Sequence, residues 1–267
     1  SCQKRKLNKD TSSSEDDALA ESMFDDVFKV VDESAKDEGL DKMGGHPYTF
    51  SGSNACATIT IDPPVGDSTW PKIMTIDFGT SGCTGSDGRT RKGKIVADIS
   101  GKYRDEGTVT KITPENYYVD DNKIEGSKVV TNKGRNSSNN LWYTVEVNGT
   151  VTTVDGDEIT WVSSREREWV EGEATTFWTD GINGILDDAY DITGNGSGVN
   201  RNGRAYSVEI TKALHVQFCG WIPEVTSGTI ELIPEDLKSR TVDFGDGDCD
   251  NQATATIGKR TYSFNLR

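Results

Sequence analysis

From residue 48 onward, short runs of β-branched and aromatic residues follow one another with turn residues between them. That cadence restricts the chain to an all-β fold. Alternating or β-branched runs occupy Ala57–Ile61, Ile73–Phe78, Lys94–Tyr103, Thr108–Ile112, Asn116–Val119, Lys123–Thr131, Leu141–Val154 and Glu158–Val170. They continue at Thr175–Trp178, Ala189–Thr193, Arg204–Ala213, Gly228–Ile233 and Ala253–Leu266. Asn148-Gly149, Asp155-Gly156, Asn195-Gly196 and Asn202-Gly203 suit tight turns whose residues need positive φ. The pattern predicts a large, mostly antiparallel meander, an open curved sheet or partial barrel, as a single β domain over residues 48–267. In it the even spacings Trp161/Trp169 and Tyr143/Val145/Val147 each point to one face.

One stretch departs from this period. After Ser14, Leu19, Met23, Val27, Val30 and Val31 fall largely at helical spacing with Asp and Glu between them, and Glu15-Asp16-Asp17 face the helix dipole. An amphipathic acidic helix is expected over residues 15–39, ending near Gly39. Its stripe of Leu19, Met23, Val27 and Val31 either packs on the sheet or meets a protein partner. An acidic polar face does not suit anionic lipid.

The 267 residues carry 29 Lys+Arg against 44 Asp+Glu, a formal charge of −15. Nucleic acid is excluded as a partner, because binding phosphates requires the opposite field. Residues 1–9 are net +4 and residues 10–41 net −10, so much of the acidity belongs to the N-terminal arm. Six Trp, eight Tyr and eight Phe are too many aromatics for a disordered chain.

The cysteines are Cys2, Cys56, Cys83, Cys219 and Cys249. Thr75-Ile-Asp-Phe-Gly-Thr-Ser-Gly-Cys83 matches Thr241-Val-Asp-Phe-Gly-Asp-Gly-Asp-Cys249, and Thr58-Ile-Thr-Ile61 matches Thr229-Ile-Glu-Leu232. A repeated module is therefore expected at 56–99 and 219–266. Matching contexts favour the disulfides Cys56–Cys83 and Cys219–Cys249 in an exported chain. Zinc fits poorly, because no CxxC occurs and the histidines are only His46 and His215. Ser1-Cys2 resembles the lipobox of bacterial lipoproteins, with Cys2 lipidated and residues 1–14 a flexible tether.

The segment Asp243-Phe-Gly-Asp-Gly-Asp-Cys249-Asp-Asn-Gln-Ala253 resembles a D-[FY]-G-x-G-x-C-D-N-x-A motif of uncharacterised exported lipoproteins of Bacteroidota. So do Asp187-Asp-Ala-Tyr-Asp-Ile-Thr-Gly194 and Asn200-Arg-Asn-Gly203. The resemblance implies a lipoprotein anchored in the outer-membrane leaflet through Cys2, and it brings no catalytic residues. Acids that follow the Cys closely in surface-exported members stand late here, behind Lys4-Arg5-Lys6. The surface and periplasmic faces therefore both stay open.

Three chemistries were weighed on the residues. Asp243, Asp246, Asp248 and Asp250 on a Gly-rich loop are candidate calcium ligands, though the EF-hand pattern is absent and the sister loop keeps only Asp77. No other cofactor is expected. Glu166, Glu168, Glu171, Asp187 and Asp188 are the candidate paired carboxylates of a glycosidase. Trp142, Trp161, Trp169, Trp178 and Trp221 are candidate sugar-stacking groups. The expected function is non-catalytic: a structural or interaction component of the envelope, docking on a larger outer-membrane protein assembly. The alternatives are a carbohydrate-binding or glycan-degrading lipoprotein, and a carrier of a hydrophobic ligand in a curved sheet.

Overall fold

The computed structural model describes residues 10–37, 56–175, 186–220 and 222–265. One helix, α1 (Ser12–Asp37), precedes the strands. The first seven strands are β1 (Thr58–Asp62), β2 (Lys72–Asp77), β3 (Cys83–Thr84), β4 (Thr90–Ile99), β5 (Val109–Val119), β6 (Asn122–Arg135) and β7 (Leu141–Thr152). The rest are β8 (Glu158–Glu171), β9 (Ala189–Val199), β10 (Ala205–Cys219), β11 (Ile222–Pro234), β12 (Arg240–Asp246), β13 (Gln252–Ile257) and β14 (Arg260–Asn265). They form one open sheet in sequence order from β1 to β14, with β3 set off the path against β4. From β1 to β6 and from β9 to β14 the pairings are antiparallel, as a meander of short connections requires. The all-β, mostly antiparallel architecture with one N-terminal helix is therefore the one the sequence pattern predicts.

The chain divides into two compact units. The helix unit comprises Glu15–Gly134 and Val145–Val162, and the terminal unit comprises Ser1–Ser14, Arg135–Thr144 and Ser163–Arg267.

In the helix unit, Ala20, Met23, Phe24, Val27, Val30 and Val31 of α1 are buried. The same core holds Met74, Ile76, Ile95, Ala97, Ile112, Tyr117, Ile124, Val147, Ile159 and Trp161 from the strands. Phe24 stacks on Trp161 with ring centroids 5.8 Å apart. Each large apolar side chain so covered contributes about 1.5–3 kcal/mol. The stripe weighed as a docking face is thus spent within the chain: Met23, Val27 and Val31 are buried and Leu19 is half-buried. A single sheet of β-branched residues has two faces to cover, and this helix supplies one cover.

One glycine makes that contact possible, and a second shapes strand β4. A Cβ on Gly149 of β7 would lie 2.0 Å from Phe24 Cζ, so only hydrogen leaves room for the ring. Gly93 of β4 has φ 86°, and a Cβ there would lie 1.9 Å from the Asn116 carbonyl oxygen. The register shifts between Lys92 and Lys94 at that point, a bulge that bends the strand. Asn148-Gly149 and Asn195-Gly196, expected as turns, therefore lie inside β7 and β9, whereas Asp155-Gly156 and Asn202-Gly203 do turn the chain.

The helix starts at Ser12, before the expected residue 15, so residues 12–14 are helical and not tether. The reason is Asp10, whose Oδ1 accepts the Ser12 amide at 2.9 Å. Its Oδ2 accepts from Arg204 at 2.6 Å, and its carbonyl accepts from the buried Arg240. Asn200 donates to both Ser12 and Ser13. All of these bonds lie within the terminal unit. The expected helix end near Gly39 lies outside the described residues.

Candidate interaction surface

Charges come first, because they decide which groups remain for chemistry. Arg91 on β4 is fully buried; it donates to both Asp26 carboxylate oxygens and to Asp87 at 2.7 and 3.0 Å. Tyr117 adds a bond to Asp26 at 3.3 Å. Burial alone would raise the Asp87 carboxyl, but hydrogen bonds and charge from Arg91 outweigh it and hold it well below the ordinary carboxylate range. Burial, reinforced by the negative charge of Asp26, pushes the Tyr117 hydroxyl up, so it stays neutral. Lys128 on β6 donates to Asp25 at 2.9 Å and to the Phe24 carbonyl at 3.2 Å. Trp161 Nε1 donates to the buried Asp17 at 2.9 Å. The acidic helix thus answers cations and a donor on the sheet beneath it. Sequence reasoning missed this; the available signal was Arg91 and Lys128 standing at inward-facing strand positions.

The two disulfides pair Cys56 with Cys83 and Cys219 with Cys249. In the first module Thr58 stands opposite Asp77, and in the second Thr229 stands opposite Asp243, so the matched residues share one register. Asp77 Oδ1 accepts the Gly79 amide at 2.9 Å, and Asp243 Oδ1 accepts the Gly245 amide at 2.9 Å. Asp250 is engaged in the same way by the Gln252 amide at 3.0 Å. Two of the four calcium candidates, Asp243 and Asp250, therefore serve as turn caps. Among the described residues, Asp243, Asp246, Asp248 and Asp250 form no group that would hold a metal ion.

Three of the five carboxylates suited to glycoside chemistry are also engaged. Glu168 accepts from Asn140 at 2.8 Å, Asp187 accepts from Thr175 at 2.7 Å, and Asp188 accepts from Trp169 Nε1 at 3.1 Å. Glu166 and Glu171 are exposed. Trp161 and Trp169 are 3% and 6% exposed, so neither presents a ring face to solvent. Trp142 is half-buried. Cys2, His46, Trp178 and Trp221 lie outside the described residues. His215 pairs through Nδ1 with Asp191, its cross-strand neighbour, at 2.7 Å.

Exposed apolar side chains occur singly at Val65, Ile73, Val154, Val162, Val199 and Ile233, whereas at the far end of the terminal unit two aromatics are exposed on one strand. There β10 to β14 carry one polar and one apolar face. The row Glu209, Glu231, Thr241, Thr256 and Thr261 runs across the polar face, with Thr256 and Thr261 hydroxyls 2.9 Å apart. On the other face Ile210, Ile230, Val242, Ala255 and Tyr262 stand in register. Exposure along that row rises from 9% at Ile210 to 49% at Tyr262. Phe264, opposite Ala253, is 40% exposed on the same face. Every described side chain of β14, from Arg260 to Phe264, is exposed, and among the described residues no strand pairs with its outer edge. One row along the same face, the Arg240 guanidinium is held by the Asp10 and Lys238 carbonyls. An apolar face thus lies beside the open main-chain donors and acceptors of β14. No family model, curated protein or solved structure matches the chain.

Proposed function

We propose that this protein is a non-catalytic interaction component of the bacterial cell envelope, docking on a larger outer-membrane protein assembly. The observation that carries this reading is the joint exposure of Tyr262 and Phe264 beside the open edge of β14. A β-rich surface of this kind binds by adding a strand and burying aromatics, not by chemistry. The carboxylates and the histidine weighed for catalysis are mostly engaged in hydrogen bonds that hold strands and turns. Two disulfides suit an oxidising compartment such as the periplasm or cell surface. The docking face has moved from the helix stripe to β12–β14, because the helix stripe is already covered.

Anchoring through Cys2 rests on the resemblance of Ser1-Cys2 to a lipobox and on the polar residues that follow it. Acyl chains contribute about 0.8 kcal/mol per buried CH₂. Labelling cells with a clickable palmitate tests this: Cys2→Ser abolishes incorporation and releases the chain from the membrane fraction. Docking is tested by detergent extraction of the native protein, affinity capture and mass spectrometry. Tyr262→Lys with Phe264→Lys removes the stoichiometric envelope partner; an unchanged set of captured proteins counts against the surface.

A further inference from the structure

Resting on the reading of β12–β14 as an interaction surface, we infer that the first partner it takes is a second copy of this chain, joined edge to edge through antiparallel β14 strands, so that the species that docks is the pair. Three features of that edge support it. An antiparallel pair with a two-fold axis through Ser263 sets Ser263 opposite itself and Tyr262 opposite Phe264 of the second copy, twice. Residues directly opposite share a face in an antiparallel ladder, so both aromatic pairs fall on the apolar side. The 49% and 40% exposed rings then cover one another, and the apolar row Ile230, Val242, Ala255, Tyr262 continues into the second copy.

The charges along the edge are also self-complementary. Its starting end carries Lys259 and Arg260, with Lys238 beside Gly258. Its other end lies beside Asp250, whose carboxylate accepts the amide of Gln252 opposite Asn265; the same β12–β13 connection carries Asp246 and Asp248, and against these three acids the sequence sets one base, Arg267. Antiparallel pairing brings each basic end toward the acidic loop of the other copy, whereas parallel pairing would stack like on like. Such attraction acts within a Debye length, about 8–10 Å. A closed two-fold contact also uses up both open edges at once, which prevents runaway edge-to-edge growth at β14.

The test is register-specific crosslinking of the full chain in a Cys2→Ser background under mild oxidation. Ser263→Cys forms a covalent dimer, since it faces its own copy at a separation a disulfide can span. Thr261→Cys, set opposite residue 265, stays monomeric on non-reducing gels. Sedimentation equilibrium of the unmodified chain at high micromolar concentration shows a dimer, and Tyr262→Lys raises the dissociation constant at least tenfold. A chain that stays monomeric, or Thr261→Cys crosslinking as readily as Ser263→Cys, overturns the inference. If the chain is monomeric yet Tyr262→Lys abolishes capture of an envelope protein, the surface has a different occupant and only the interaction reading survives. If neither dimer nor captured partner is lost, both fall.

Discussion

Arg91 shows how one residue can tie a helix to a sheet. With its side chain wholly out of solvent, its charge is tolerable only because Asp26 and Asp87 accept its donors. Removing Arg91 leaves the buried Asp26 carboxylate with Arg89 at 3.3 Å and the Tyr117 hydroxyl, so the loss stays at or below the roughly 3–5 kcal/mol of a buried pair broken outright. Arg91→Met is therefore expected to lower stability by that order in urea denaturation. Adding Asp26→Leu restores much of the loss, because the stranded carboxylate goes with it; a double variant no more stable than Arg91→Met contradicts this account. Acid acts on the same group. The Asp87 carboxyl is depressed in the folded state, so its contribution is complete above the unfolded value near 4 and is lost as pH falls below it. In the Asp87→Asn variant the acid limb of a stability-against-pH curve flattens below about pH 4.

At the scale of elements, the helix and strand β7 are fitted to each other at one glycine. Gly149→Ala places a methyl group inside the Phe24 ring position and is expected to cost about 1–3 kcal/mol through overpacking. Phe24→Leu in the same chain removes the clash with the ring but not the 2.6 Å approach to the Glu125 carbonyl oxygen, so it restores part of the loss, and thermal melts of the single and double variants measure the coupling. Several elements were legible in advance. The strand runs, the helix and the pairing of cysteines follow from periodicity and matched context, which are local properties. Glycine was less legible. Asn-Gly reads alike in a turn and at a close backbone approach, and only the facing element distinguishes Gly149 under Phe24 from Gly203 in a hairpin. Pro114 and Asn116 likewise break the β5 pattern in sequence, yet the strand runs through them with a bulge. The β5–β6 turn is made by Asp120 and Asp121 at φ 49° and 62°, without any glycine to announce it.

For the molecule as a whole, the acidic N-terminal segment is part of the fold. Its residues from Asp10 onward bond to Arg204 and Asn200 in the terminal unit and to Arg91, Lys128 and Trp161 in the helix unit. A chain beginning at Asp10 is expected to melt with the full-length protein. A chain beginning at Gly39 exposes the side chains beneath the helix, among them Met74, Ile95 and Ile124, and gains strong fluorescence with an apolar dye. Equal dye binding by the two chains would return the helix to the status of a tether. The sequence by itself determined the all-β meander, the N-terminal helix, and the partner of each cysteine in 56–83 and 219–249. These depend on period, spacing and charge, which neighbours along the chain settle. Tertiary structure alone decided that Asp17 and Asp26 are buried, that the helix stripe is covered, and that the open apolar surface lies at Tyr262 and Phe264. Burial depends on what arrives from elsewhere in the chain, and a charge or an aromatic ring carries no local mark of whether that cover comes.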